Sequence, residues 1–93
     1  MRPITMFYLE SCGYCTRAKQ ALKELKAENP AYEMVEITEI EESRHPELAE
    51  QYDYYAVPSF YDGHTKLFEA HLFMSREDMR EEVRKVLDYA AGN

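Results

Sequence analysis

No stretch of this sequence approaches the ~20 consecutive apolar residues of a bilayer-spanning helix, so no membrane association is expected. The opening residues, Met1-Arg2-Pro3-Ile4-Thr5, carry neither a signal-type apolar segment nor a small-residue cleavage site, which points to the cytoplasm. Cysteine is scarce: there are two, too few for a disulfide framework, and no second Cys pair or His-x-His cluster is present to complete a zinc site. His45, His64 and His71 are scattered. Basic residues are outnumbered, 11 against 18 acidic, and the net charge of −7 argues against nucleic acid and anionic membranes as partners. There is no internal repeat, low-complexity tract or linker, so residues 1–93 are expected to form one domain, and a monomer. Paired carboxylates, a Ser/His/Asp constellation and a phosphate-binding Gly loop are also missing.

What is present is a strand running into a cysteine pair. Hydrophobic residues make up 45% of the chain, and a chain of this size buries roughly 60–70% of its unfolded surface, enough for one core. The almost continuously apolar Ile4 to Leu9 reads as a central strand covered on both faces. It leads to Cys12-Gly13-Tyr14-Cys15, and Thr16 to Glu28 leaves as an amphipathic helix with Ala18, Ala21, Leu22 and Leu25 on one face. Cys12 therefore falls at or just before the helix start, facing unsatisfied N–H groups and the positive end of the helix dipole, which favour a thiolate. One helical turn separates the side chains by ~5–6 Å, within reach of a disulfide, whose Cα atoms lie ~4.4–6.8 Å apart. Two cysteines in a reducing compartment, both in one Cys-x-x-Cys, read as catalytic or metal-binding before structural.

Beyond the helix, Asn29-Pro30 is a breaker. The alternation in Tyr32 to Ile37 predicts a second strand, and Thr38-x-x-Glu41 a capping box opening a short helix. Pro46 predicts another helical piece through Tyr52. Ala56 to Tyr61 predicts a strand, Asp62-Gly63 a turn, and Thr65 to Phe68 the return strand. After the connector His71-Leu72-Phe73-Met74, Ser75-x-x-Asp78 caps a last helix with Met79, Val83, Val86, Leu87 and Ala90 inside and Gly92 at its end. The order β-α-β-α-β-β-α implies an α/β fold: a parallel right-handed crossover, a hairpin, and a four-stranded mixed sheet with helices on both faces.

The chain resembles the thioredoxin/glutaredoxin superfamily over most of its length. The resemblance rests on Phe7-Tyr8-Leu9 before Cys12-x-x-Cys15, and on His45-Pro46-Glu47-Leu48-Ala49-Glu50-Gln51-Tyr52 followed by Ala56-Val57-Pro58-Ser59-Phe60. That block is similar to thioredoxin's Asn-Pro-x-x-Ala-x-x-Tyr and Ile-Pro-Thr. The resemblance implies a thioredoxin-like fold, a cis Val57-Pro58 bond facing the cysteines, and a Val57 backbone that pairs with a docked substrate like an added strand. It also implies a thiol–disulfide oxidoreductase, with Cys12 attacking, Cys15 resolving, and Gly13, Tyr14, Val57 and Pro58 contacting substrate. The implied partners are disulfide-bearing proteins and a reductase or glutathione system, with no tightly bound cofactor.

The sequence also departs from both families. Thioredoxin's tryptophan before the first cysteine is replaced by Ser11. Tyr14 matches glutaredoxin's Cys-Pro-Tyr-Cys, but Leu9 stands where glutaredoxins carry Lys or Arg, and Leu72-Phe73-Met74 where they carry Gly-Gly before the last helix. Those features hold glutathione's carboxylates, so glutathione binding is opposed here, while Tyr14 and the length favour it. Two alternatives stay open: a glutathione-driven glutaredoxin, and a non-catalytic module that binds partners or holds a cluster. Of the flanking charges, Arg17 and Lys19 read as a solvated helix face or as thiolate-stabilising cations, and Glu10 as an outward loop residue or a carboxylate near Cys12. The acidic run Glu39, Glu41, Glu42 reads as a solvated face. Phe60 reads as core, and Tyr54 and Tyr55 as packing or the rim of a docking surface.

Overall fold

The computed structural model describes residues 1–92. Eight elements follow one another: β1 (Ile4–Tyr8), α1 (Gly13–Glu28), α2 (Pro30–Glu33), β2 (Ile37–Glu41), α3 (Pro46–Ala49), β3 (Ser59–Asp62), β4 (Thr65–Glu69) and α4 (Arg76–Ala91). The strands form one mixed sheet in the order β2-β1-β3-β4. β1 and β2 are parallel, as two strands joined through α1 must be, and β1–β3 and β3–β4 are antiparallel.

Strand alternation divides the core between the two faces of the sheet. Ile4 and Met6 of β1, with Phe60 and Phe68, face α1 and α4, whose stripes (Ala18, Ala21, Leu22, Leu25 and Met79, Val83, Val86, Leu87, Ala90) are buried as their spacing requires. Arg80 ties the two helices across their outer edge, donating to Glu24 (3.1 Å) and Glu28 (2.6 Å). Phe7 and Tyr61 point the other way. They are covered by rings that follow α3: Tyr52 lies 4.7 Å from Phe7 and 4.9 Å from Tyr61, and Tyr54 lies 5.2 Å from Phe7. Such aromatic pairs add about 0.5–1.5 kcal/mol each beyond the area they bury.

Capping chemistry sets the ends of α4. The Ser75 hydroxyl accepts from the Asp78 N–H at 2.9 Å, the Asp78 carboxylate accepts from the Ser75 N–H at 3.0 Å, and Gly92 closes the helix in the left-handed region (φ 88°).

Five sequence expectations are corrected. Tyr32 to Glu36 is not a strand; the second strand begins only at Ile37. Asn29 ends α1 and also caps α2, its side chain accepting from the Ala31 N–H at 3.0 Å, with Pro30 in the first helical position. Tyr32 and Val35 are buried three residues apart, a helical spacing that the apparent alternation hid. Thr38 to Glu41 opens no helix. It lies in β2, where Thr38 pairs with Thr5 and Glu41 with Tyr8; ladder pairing to a central strand overrides a local capping signal. The helix at Pro46 ends at Ala49 and reaches Tyr52 only as a turn, with Gln51 and Tyr52 N–H groups bonded three residues back. The hairpin loop is Gly63-His64, one residue beyond the expected turn, with Gly63 at φ 58° and Asp62 paired to Thr65. β3 begins at Ser59 because Pro58 has no N–H to give the ladder.

Candidate active site

The junction between β1 and α1 is short because Cys12 folds back on it, its N–H donating to the Leu9 carbonyl at 3.2 Å. Cys12 is the N-cap of α1, in extended backbone (φ −93°, ψ 122°). Its carbonyl takes the first helical bond from Thr16 N–H (3.1 Å), but its side chain caps nothing. The half-buried thiol instead points across to the Val57 carbonyl, 3.8 Å away.

Cys15, one turn further in, is buried, 1% exposed. Its sulfur accepts the Leu9 N–H at 3.5 Å. Burial pushes this thiol up to about 12; the Leu9 N–H pulls the other way, and the neighbouring Cys12 adds to the rise. Both cysteines are free thiols.

The segment opposite Cys12 is held from below. The Val57–Pro58 bond is cis, Pro58 is buried, and its carbonyl accepts the Ala70 N–H at 3.0 Å. The Ser59 hydroxyl donates to the Ala56 carbonyl at 2.6 Å. A single Glu69 oxygen accepts the N–H groups of both Tyr55 and Ala56, each at 2.8 Å, and the other takes Lys66 Nζ at 2.6 Å. Burial disfavours the Glu69 carboxylate, but Lys66 and the two N–H groups outweigh it and hold its pKa below the usual carboxylate range.

Gly13 is exposed, and a Cβ there would meet no atom within 4 Å. Tyr14 is fixed: its hydroxyl accepts the Phe73 N–H at 2.8 Å, and the Arg17 guanidinium lies 5.3 Å from its ring while donating to the Met74 carbonyl at 2.9 Å. Phe73 is left-handed (φ 69°), a conformation that costs a bulky L-residue about 1–2 kcal/mol. Thus Cys12, Cys15, Val57, Pro58 and Tyr14 come together, and the β4–α4 connector joins them.

The flanking charges find their own partners, and Lys19 also favours the Cys15 thiolate, as the weakest of the influences on it. Lys19 lies 3.4 Å from the centre of the Tyr8 ring and 3.3 Å from Glu39. Glu10 pairs with Arg44 at 3.2 Å. The acidic run is not simply a solvated face. Glu41 is 8% exposed, and its carboxylate accepts the Ser43 hydroxyl and N–H (2.5 and 2.7 Å) and the Glu10 N–H (3.3 Å), bracing the loop before Cys12. The Ser43 hydroxyl, with help from the N–H groups of Ser43 and Glu10, keeps Glu41 below the usual carboxylate range despite burial. Glu42 takes the Tyr54 hydroxyl at 2.8 Å; burial, then this carboxylate, raises that phenol. Tyr54 is therefore packing, whereas Tyr55 stands 94% exposed. Sequence reasoning missed Glu41, Glu69 and Phe73, since each acts through a backbone position that only the tertiary fold creates.

Among the described residues, no three His, Cys, Asp or Glu side chains converge to hold a metal ion, and no helix is long and apolar enough to cross a membrane. Two clefts, about 480 Å³ beside Cys15 and about 400 Å³ beside Val57, meet at Leu9.

The family model described as Glutaredoxin matches residues 4–65, more than half of the chain. The chain belongs to the glutaredoxin family. Among curated proteins, none matches the sequence significantly. The solved structures similar to this glutaredoxin-family chain include thioredoxins. Oxidised thioredoxin from Plasmodium falciparum matches at TM-score 0.61 and 20% identity, covering 95% of this chain and 80% of that one. Thioredoxin 1 from Thermosipho africanus matches at TM-score 0.55 and 17% identity over 94% and 96%. A mutant thioredoxin from Halobacterium salinarum matches at TM-score 0.59 and 14% identity over 96% and 74%. At these identities the likeness shows the fold, which is thioredoxin-like. Family and fold together support a thiol-oxidoreductase type of function.

Proposed function

We propose that this chain is a cytoplasmic thiol–disulfide oxidoreductase that reduces protein disulfides through Cys12 and Cys15. The observation that carries the reading is the pairing of a half-buried Cys12 sulfur, 3.8 Å from the Val57 carbonyl, with a Cys15 sulfur buried one turn behind it. The Cys12 thiolate attacks one sulfur of the substrate disulfide. A mixed disulfide forms, and the other substrate sulfur leaves as a thiolate that takes up a proton. Cys15 then gives up its proton and attacks the Cys12 sulfur, which releases the second substrate thiol and leaves a Cys12–Cys15 disulfide. Two electrons pass from the dithiol to the substrate, and an external thiol or dithiol system restores them. Gly13 leaves the approach to Cys12 open, Tyr14 shapes it, and the Val57 backbone pairs with the substrate chain, positioned by Pro58. No tightly bound cofactor is required, and the protein acts as a monomer.

The test is insulin-disulfide reduction by wild type and Cys12→Ser. Loss of at least about 10³-fold is expected on removal of the nucleophile, and retained activity would refute the assignment. A second reading, reduction by glutathione, is favoured by the glutaredoxin family match. It is opposed by Leu9 and Phe73 at the positions noted above. Turnover with NADPH and thioredoxin reductase, measured against turnover with glutathione and glutathione reductase, separates the two. The first system is expected to be the faster.

A further inference from the structure

The geometry points to Phe73 as the residue that selects polypeptide substrates, by receiving an apolar side chain that flanks the substrate's disulfide. The inference rests on the proposed thiol–disulfide exchange and deepens it. Two features of Phe73 have no explanation inside the fold. Its backbone lies at φ 69°, which glycine adopts freely and a β-carbon opposes. The residue is 91% exposed, so no packing compensates for the strained backbone. Yet it is held in place: its N–H donates to the Tyr14 hydroxyl at 2.8 Å, and the next carbonyl, of Met74, takes Arg17 Nη1 at 2.9 Å. A position that served the fold alone would be better filled by glycine. An exposed ring kept on a strained, anchored backbone is a contact made for another molecule.

The anchor identifies that molecule. Tyr14 stands between the two cysteines, so the Phe73 backbone is fixed one side chain away from the dithiol. Leu72 beside it is 70% exposed, and Tyr55 of the cis-proline loop offers a second exposed ring beyond Val57. Charge argues against a small anion. The Arg17 cation beside the connector is committed to the Met74 carbonyl and the Tyr14 ring, and the chain carries a net charge of −7. An aromatic and aliphatic rim whose neighbouring cation is already engaged suits an apolar stretch of polypeptide better than the carboxylates of glutathione.

The experiment compares wild type, Phe73→Gly and Phe73→Asn on insulin and on the small neutral hydroxyethyl disulfide. Glycine and asparagine both tolerate the left-handed backbone and lack the ring. In both variants the ratio of kcat/KM for insulin to that for hydroxyethyl disulfide is expected to fall about tenfold, through KM, as for loss of an apolar anchor. The melting temperature of Phe73→Gly is expected to equal or exceed that of wild type. An unchanged ratio in either variant overturns the inference, as does a loss that both substrates share equally. Concentration-dependent dimerisation of wild type that Phe73→Gly abolishes overturns it too, by assigning the ring to a second copy of the chain. A wild type that turns over neither disulfide defeats the parent reading, and this inference with it.

Discussion

The rim of the site, around Cys12, and its floor, around Cys15, are built from the same strand-to-helix junction but offer a sulfur opposite surroundings. At the rim, Cys12 caps a helix without using its side chain, and its sulfur meets a backbone carbonyl from another loop. At the floor, Cys15 is enclosed and receives one long hydrogen bond from Leu9. The residues are chemically identical; burial separates their surroundings. The rim suits a sulfur that must meet a substrate, and the floor suits one that stays protonated until a mixed disulfide forms above it.

Breaking the division outright has the largest expected effect. In the proposed mechanism Cys15→Ser keeps the attacking sulfur and removes the resolving one, so multiple-turnover insulin reduction should fall by at least about 100-fold while a Cys12 mixed disulfide accumulates. Non-reducing gels and intact mass read that species. Free turnover by Cys15→Ser would show that Cys12 needs no partner.

Loosening the rim from below comes next. Glu69→Ala strands the N–H groups of Tyr55 and Ala56 that fix the loop carrying Val57. Stability should drop by about 1–3 kcal/mol in urea unfolding, and kcat/KM by roughly tenfold, with Glu69→Gln recovering part of both. Full activity at normal stability would detach Glu69 from the site.

The floor has its own signature in pH. In the folded protein the Cys15 thiol is raised from near 9 to about 12, so between those values the unfolded chain has lost a proton that the native protein keeps. Stability from this group is fully present below about pH 9 and disappears as pH rises towards 12. Unfolding of reduced wild type should therefore weaken with alkali more steeply than that of Cys15→Ser. Parallel curves would contradict the burial argument.

The smallest effect sharpens the rim without disturbing the floor. Gly13 occupies the first helical position of α1, with open space where a side chain would stand. Proline is preorganised for that position, so Gly13→Pro should raise stability by about 0.4–1 kcal/mol. A loss would mean that Gly13 serves the backbone in a way its helical geometry does not reveal.

The floor was far more legible in the sequence than the rim. The Cys12-x-x-Cys15 spacing, the strand before it and the helical stripe behind it are local patterns, and they placed one sulfur at a helix start and the other inside. Likewise Ser75 and Asp78 announced α4, because a capping box is complete within four residues. The opposite wall was accessible only through the resemblance, since nothing in Val57-Pro58 alone brings it to Cys12 across 45 residues of chain. Glu41, Glu69 and Phe73 stayed hidden. The two glutamates look like surface charge until the fold turns their carboxylates onto backbone N–H groups, and a phenylalanine carries no sequence signal of a left-handed backbone. Tyr32 to Ile37 misled because a few alternating residues resemble a strand when Asn29 has already begun a new turn.

The most direct test of the division between rim and floor is alkylation of the fully reduced native protein with iodoacetamide, quantified at each cysteine by peptide mass mapping near neutral pH. The account predicts prompt modification of Cys12, with Cys15 protected until denaturant unfolds the chain. Equal rates at the two cysteines, or faster reaction at Cys15, would contradict it.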